Sequence, residues 1–434
     1  MKIISYREKD FKEKLSQLFH RKAFSEDIAR EVQPILEDVK ARGDIAICEY
    51  ALRFDKVTLE PGKFLVSDDE IKEADSSVSE NRKNAIITAI ENITDFASKQ
   101  KPKNWTYSPR NGVELGEKFS PFSRVGAYIP GGTAPLVSTA IHTIAIAKTA
   151  GVKRIVAVTP AGKNGKINPE LLYAMKIAGA SEIYKLGGVY AIAALAYGTQ
   201  SISKVEKIVG PGNAYVTAAK KFVYGDVAID MVAGPSEILI IADNANNPNF
   251  IAADLLSQAE HGSGHEQAVL LSTSHALIER VKDSLDRQVK KLKRAVAIKK
   301  VMAEGIILIE TENIEQSIEL ANSYAPEHIE IMCKDFDKVA DKISAAGAIF
   351  LGEYTPESVG DFVAGPSHVL PTGGSAKYFS GITIDTFLRR SSLIKYSKQA
   401  LENEIPFIER FAEMEGLDAH GNSALIRFGD YIGL

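Results

Sequence analysis

Cysteine is almost absent from this chain. Cys48 and Cys333 are its only two in 434 residues, which excludes a disulfide framework and fits an enzyme of the reducing cytoplasm. Both read as small buried hydrophobes. No apolar run reaches the roughly 18 residues that a membrane-spanning helix needs. The opening Met1-Lys2-Ile3-Ile4-Ser5-Tyr6-Arg7-Glu8-Lys9-Asp10 is charged and lacks a secretory core. Positive charge is not in excess either. With a formal net charge of -4, neither nucleic acid nor an anionic membrane is expected as a partner. What is present is the make-up of a soluble globular protein, 45% apolar and 25% charged. The chain is too long for one ordinary core, so two main units with appendages are expected.

The first stretch, 1–120, reads as a mostly helical region packing on the second of two α/β units. Ser25 suits an N-cap, with Glu26 and Asp27 in the first turn. Ile28, Val32, Leu36 and Val39 follow at helical spacing, with Pro34 as a kink site and Gly43 as a stop. A second helix is expected over about 81–99. From about 120 the rhythm becomes strand–helix alternation. Candidate strands are Val125–Ile129, Arg154–Thr159, Glu182–Leu186, Lys207–Val209 and Ala228–Met231, then Ile238–Ala242, Ala268–Ser272, Ile306–Glu310, Ile329–Met332 and Ala348–Leu351. Helices are expected between them, among others over Ser138–Ala150, Pro169–Ala178, Asn213–Val223, Ser274–Leu292 and Ile314–Ser323. Apolar strands in such alternation imply right-handed βαβ units and largely parallel sheets.

The expected fold class is therefore α/β, with two incomplete Rossmann-like parallel-sheet domains, 121–235 and 236–382. One internal echo points to duplication: Asp230-Met231-Val232-Ala233-Gly234-Pro235-Ser236 resembles Asp361-Phe362-Val363-Ala364-Gly365-Pro366-Ser367. If so, the two sheets must agree in strand order and direction. The tail, 383–434, reads as polar and helical, with Arg389, Arg390, Lys395, Lys398, Glu402 and Glu404 on a solvated face. It is too small to bury a core alone and is expected to dock elsewhere, such as on a second subunit.

Histidine is scarce, with eight in all, and four of the eight fall in short segments beside Gly, Pro or a carboxylate. These are Ser257-Gln258-Ala259-Glu260-His261-Gly262, Pro326-Glu327-His328, Gly360-Asp361 through Ser367-His368, and Ala419-His420-Gly421. Gln258 and His261, three apart, share a face on one helical turn. His261 and His265 are separated by two glycines and lack an HExxH pattern, so His265, with Glu266 and Gln267, reads as exposed. Glu327-His328 opens an apolar strand; a histidine there can accept and release a hydroxyl proton, and the glutamate can activate water or orient the ring. Each segment alone reads as a hydrogen-bonded loop or a surface pair. Together they supply two histidines, an aspartate and a glutamine for a borderline divalent ion such as zinc, with His328, His368, Glu327 and Glu415 left over. His20, His142 and His275 lie in helical patterns and read as structural or exposed.

Two glycine-rich segments, Gly126 to Thr133 and Gly210-Pro211-Gly212-Asn213, lie between a strand and a helix. A strand, glycine loop and helix N-terminus make an anion site. Neither is the GxGxxG fingerprint and no P-loop lysine motif is present, so tight turns remain an alternative.

Six segments in order resemble histidinol dehydrogenase over nearly the whole chain: Tyr128-Ile129-Pro130-Gly131-Gly132, Gly210-Pro211-Gly212-Asn213-Ala214, Ala233-Gly234-Pro235-Ser236-Glu237, Gln258-Ala259-Glu260-His261-Gly262, Pro326-Glu327-His328 and Ser367-His368-Val369-Leu370-Pro371-Thr372. The resemblance implies oxidation of L-histidinol through L-histidinal to L-histidine with two NAD. It implies zinc held by Gln258, His261, Asp361 and His420, with Glu327 and His328 as the catalytic pair. Ser236, Gln258, His261, His328, Asp361, His368, Glu415 and His420 would line the substrate site. Tyr128 and Asn213 match NAD-contacting positions. A third, often Gln in the family, is Tyr190 here, a departure that bears on cofactor contact. The resemblance further implies a homodimer whose tail crosses over, so that His420 and Glu415 complete the partner's site. A related dehydrogenase acting on another small alcohol, such as a sulfonated diol, is the alternative; His368 and Glu415 favour histidinol.

Overall fold

The structure is a computed structural model and describes residues 1–19, 21, 23–131, 135–261 and 264–429. Gly132 and Thr133 of the first glycine-rich segment, Gly262 and Ser263 beside His261, and His20 lie outside the described residues. Its strands are β1 (Lys2–Ser5), β2 (Trp105–Arg110), β3 (Val113–Pro121), β4 (Arg124–Tyr128), β5 (Arg154–Val158), β6 (Glu182–Tyr184), β7 (Lys207–Val209), β8 (Ala228–Ile229), β9 (Glu237–Ala242), β10 (Gln267–Ser272), β11 (Ile306–Glu310), β12 (His328–Ile331), β13 (Ala348–Leu351) and β14 (Leu388–Tyr396). The ten strands expected between 125 and 351 are all present.

They form two parallel sheets in one compact unit, Met1–Gln100 with Phe122–Phe387. The first sheet runs β6-β5-β4-β7-β8 and the second β1-β11-β10-β9-β12-β13, every pair parallel. Leaving aside β1, both place their strands in the order third, second, first, fourth, fifth. That is the doubly wound order short of its sixth strand. The sheets thus agree in order and direction, as duplication requires. The echo falls beyond the fifth strand in both halves, but its aspartates do different work. Asp230 is ion-paired to buried Lys220 and accepts from the Gly210 N–H at 2.8 Å. Asp361 lies beside His328, 3.6 Å from its Nε2.

Burial on both faces explains the near-continuous apolar strands. In β9, Ile238 and Ile240 face one core with Leu255, Leu270 and Leu308; Leu239 and Ile241 face the other with Ile309, Tyr324 and Ile329. Ser25 caps the helix Glu26–Arg42, which continues through Pro34 and stops at Gly43, φ +59°. Cys333 is buried, Cys48 half-buried, and neither is bonded. Among the described residues no helix is long and apolar enough to cross a membrane.

The ends of the chain differ from the sequence reading. The second unit combines 101–121 with the chain from Leu388. Its antiparallel sheet runs β14-β3-β2, followed by the helices Lys398–Glu415 and Asp418–Leu425. So 101–121 joins the tail rather than the N-terminal helices, and the tail begins as a strand. Of the N-terminal helices, Phe11–Phe19 packs on the second sheet as expected, but Glu26–Arg42 packs on the first, where Val32, Leu36 and Val39 meet Val156 and Ile208. All of β2 and nearly all of β14 are exposed. Such strands carry no alternating apolar pattern, and pairing between segments far apart in sequence fixes them. The four-residue β1 was equally silent; pairing with β11 at the sheet edge makes it a strand.

Candidate active site

Glu327 and His328 stand at the amino end of β12. That strand is interior, with His328 opposite Ile238 of β9 and Ala348 of β13, so the pair faces the end of the sheet and not its side edge. The helix Ile314–Tyr324 ends at Ala325, whose left-handed φ of +51° turns the chain sharply into Pro326 and the strand. The backbone of Glu237, first residue of β9, then fixes both side chains. Its N–H donates to Glu327 Oε2 at 2.9 Å, and its carbonyl accepts from His328 Nδ1 at 3.0 Å. The imidazole proton is thereby on Nδ1. Nε2 is buried without a hydrogen-bond partner, 3.6 Å from Asp361 Oδ1. Ser236 precedes Glu237 and is half-buried at the same strand end.

Gln258 sits in the last turn of the helix Pro248–Ala259, fully buried, with His261 just beyond. Asp361 lies on the short helix Glu357–Phe362. One donor atom each from His261, Glu357 and Asp361 lies within 4.8 Å of the others. With its nitrogen turned toward Glu357, the Gln258 amide donates to that carboxylate at 2.6 Å, which leaves the amide oxygen facing donors. Imidazole and carboxylate oxygens converging in this way suit zinc, with the Gln258 amide bound to one of those carboxylates. Of the expected ligands, the first unit thus brings Gln258, His261 and Asp361 together and adds Glu357. No motif flagged Glu357, although its spacing of four from Asp361 puts both on one helical face.

Burial and crowded charge set the protonation. Burial pushes Glu327 and Glu357 each up to about 8, against the pull of His328. Burial also opposes the His328 imidazolium, but Glu357, Glu327 and Asp361 outweigh it and hold the ring well above its usual value. His328 Nδ1 is 3.3 Å from Glu357 and 3.8 Å from Glu327. His261 is exposed by surface, yet the atoms around it lower its pKa by desolvation, with Asp361 and Glu266 acting the other way. His265 is exposed as expected, but Glu266 is buried and accepts from the Gly264 N–H at 2.9 Å.

His368 is already engaged on both ring nitrogens. Nδ1 donates to the Asp361 carbonyl at 3.0 Å, and Nε2 accepts from Thr139 at 3.2 Å. Its ring stacks on His142 with centroids 4.4 Å apart, and its N–H donates to His142 Nδ1 at 3.2 Å. His142 is fully buried, as a structural role requires. Within an apolar helix it gave no sign of facing a distant loop.

The expected cofactor positions gather at the carboxyl end of the first sheet. Tyr128 ends β4, buried, its hydroxyl accepting from the Gly188 N–H at 3.2 Å. Gly210, at φ +112°, passes so close to Tyr128 that a Cβ would lie 2.2 Å from its carbonyl oxygen. Asn213 is exposed and caps the helix Ala214–Val223. Tyr190 is only 1% exposed and donates its hydroxyl to Asp55, so cofactor contact there would require that bond to open. Glu415 and His420 belong to the second unit, where both are exposed and line one groove with Phe407 and Phe411.

Residues 19–428 match the family model described as Histidinol dehydrogenase. The chain belongs to the histidinol dehydrogenase family. A histidinol dehydrogenase of Clostridium acetobutylicum is 45% identical over 402 residues, 93% of each chain. One of Bacteroides thetaiotaomicron is 44% identical over 430 residues, covering 98% of this chain and 99% of its own. The crystal structure of histidinol dehydrogenase from Elizabethkingia anophelis has a TM-score of 0.93 at 38% identity, with 99% of this chain and 98% of that chain covered. Membership in the histidinol dehydrogenase family makes the chain an oxidoreductase and its α/β fold that of the crystal structure, as the sequence motifs implied.

Proposed function

We propose that this enzyme oxidises L-histidinol through L-histidinal to L-histidine, reducing two NAD, as the last steps of histidine biosynthesis in the cytoplasm. The observation that carries the reading is the convergence, at one strand end, of a metal-donor cluster and a buried Glu-His pair. Gln258, His261 and Asp361 would hold zinc, with His420 of the neighbouring subunit as the fourth ligand and Glu357 supporting them. When bound, the metal would supply a template and a Lewis acid for the imidazole and amine of histidinol.

The chain's own groups account for the proton transfers. In its neutral form His328 accepts the hydroxyl proton at Nε2 while the carbinol hydrogen leaves as hydride to the first NAD. Water then adds to the aldehyde carbon and gives a proton to Glu327. Once ionised, that carboxylate is held by the Glu237 N–H, and its raised pKa makes it a stronger base than an ordinary glutamate. The oxyanion takes the proton back from His328, and the neutral ring then accepts a hydroxyl proton of the hydrate as the second hydride passes to the second NAD; the acid so formed ionises to the carboxylate. A closed site protects the aldehyde between the two steps. Ser236, His368 and Glu415 would complete the substrate pocket. His368 would do so once Thr139 releases its Nε2.

Residues 121–235 would be the NAD-bearing half, with Tyr128, Asn213 and the turn before Tyr190 at its carboxyl end, and 236–382 the metal-bearing half. A homodimer is supported by the second unit, which leaves Phe407, Phe411 and Met414 each more than 60% exposed around Glu415 and His420. The test is to count NADH per L-histidinol consumed by zinc-loaded protein. Two establish the full oxidation. One stops at the aldehyde and removes the role of Glu327. None, with metal present, moves the substrate to another small alcohol.

A further inference from the structure

Glu237 is a charged residue on a strand buried on both faces, itself 2% exposed, and the proton chemistry above uses only its backbone. A carboxylate there needs a partner, and its partner is Arg21. Arg21 Nη1 lies 2.6 Å from Glu237 Oε2, with the two side chains 7% and 3% exposed. The Gly373 N–H donates to Glu237 Oε1 at 3.0 Å. The same guanidinium lies flat over Tyr324, 3.6 Å from the ring centroid, and its Nη2 donates to the Tyr324 carbonyl. Tyr324 is anchored in turn, its hydroxyl donating to Gln267 Oε1 at 2.7 Å.

These contacts bear on two chain segments at once. Tyr324 ends the helix from which Ala325 and Pro326 turn into Glu327 and His328. Glu237 begins the strand whose N–H and carbonyl hold those two side chains. We propose that Arg21 is a positioning residue that ties the Tyr324–His328 turn to the entrance of β9 and so aligns Glu327 and His328. A buried ion pair is by itself weak evidence of a stability role. This pair spans the two backbones that must stay in register for both hydrogen bonds to the catalytic pair. Misplacement of reacting groups by about 1 Å can cost roughly a hundredfold.

The kinetic assay rests on the reading under Proposed function, and unmodified enzyme tests that separately. Arg21→Ala should lower kcat about ten- to a hundredfold, leave KM for histidinol and zinc content within about threefold, and regain part of kcat on adding millimolar guanidinium. If that variant does not fold, Arg21→Lys keeps the charge but not the flat stack or the forked contact, and should show the same kcat-only loss. A folded variant with kcat within twofold of the parent overturns the proposal, as does a loss matched by an equal loss of folded, metal-loaded protein. A substrate-independent reading comes from the NMR signal of the His328 Nδ1 proton, assigned by its absence in His328→Ala. It should shift or weaken in the Arg21 variant; an unchanged signal overturns the proposal even if histidinol proves not to be the substrate.

Discussion

Replacing His328 by Ala should remove most activity and leave the metal in place. The ring sits on the Glu237 carbonyl by Nδ1, and its Nε2 is the buried nitrogen without a hydrogen-bond partner. Losing a positioned general base costs roughly a hundred- to ten-thousandfold in rate, or about 3–5 kcal/mol of barrier. The donor atoms that converge belong to His261, Glu357 and Asp361 and not to His328, so zinc should remain near the parent's content. Folding should survive at neutral pH. Glu327 and Glu357, deprived of the neighbouring imidazolium, titrate higher still and stay uncharged, which avoids two unpaired buried charges. The assay measures NADH formation under saturating histidinol and NAD, with zinc determined on the same samples. Metal content falling in step with activity would show His328 to be a ligand and refute this reasoning.

Glu357→Gln keeps the shape and removes the carboxylate, so zinc affinity should fall by about ten- to a hundredfold in competition with a chelator; an unchanged affinity leaves Glu357 outside the metal site. Metal-free protein should lose stability as pH rises. Glu327 and Glu357 at about 8 and the raised His328 hold protons that an unfolded chain, with carboxylates near 4.5 and histidine near 6.5, has released. Its denaturation midpoint should be lower at pH 8 than at pH 6, and the reverse order would refute the protonation scheme. Mixing His328→Ala chains with His420→Ala chains should restore activity in mixed dimers, and no recovery would mean that the sites are not shared.

Much of the site was legible because its residue types are costly to place without purpose. Gln258, His261, Glu327, His328 and Asp361 stand beside glycine, proline or a second polar group, a setting that marks ordered loops. Glu357 was hidden because it lies outside every motif, and its role depends on which face of a six-residue helix meets Gln258. His142 and Arg21 were invisible for the same kind of reason. A histidine in an apolar helix and an arginine before a capped helix say nothing about the loop or strand that each meets more than 200 residues later. Glu237 did carry a signal, since an acid at the head of an apolar strand must find a partner. The identity of that partner was not in the local sequence.

The sequence by itself determined the alternation of buried strands and helices, because a strand covered on both faces must be apolar throughout and several of the helices stop at glycine. Ten of the eleven strands of the two parallel sheets followed from that pattern. Tertiary structure alone decided the pairing of exposed segments, as in β2, β3 and β14, where both faces are polar enough to leave no period. It also decided protonation. Glu237, Glu327 and Glu357 are ordinary glutamates in the sequence, and only burial, against the opposing pull of Arg21 and His328, moves them toward neutrality.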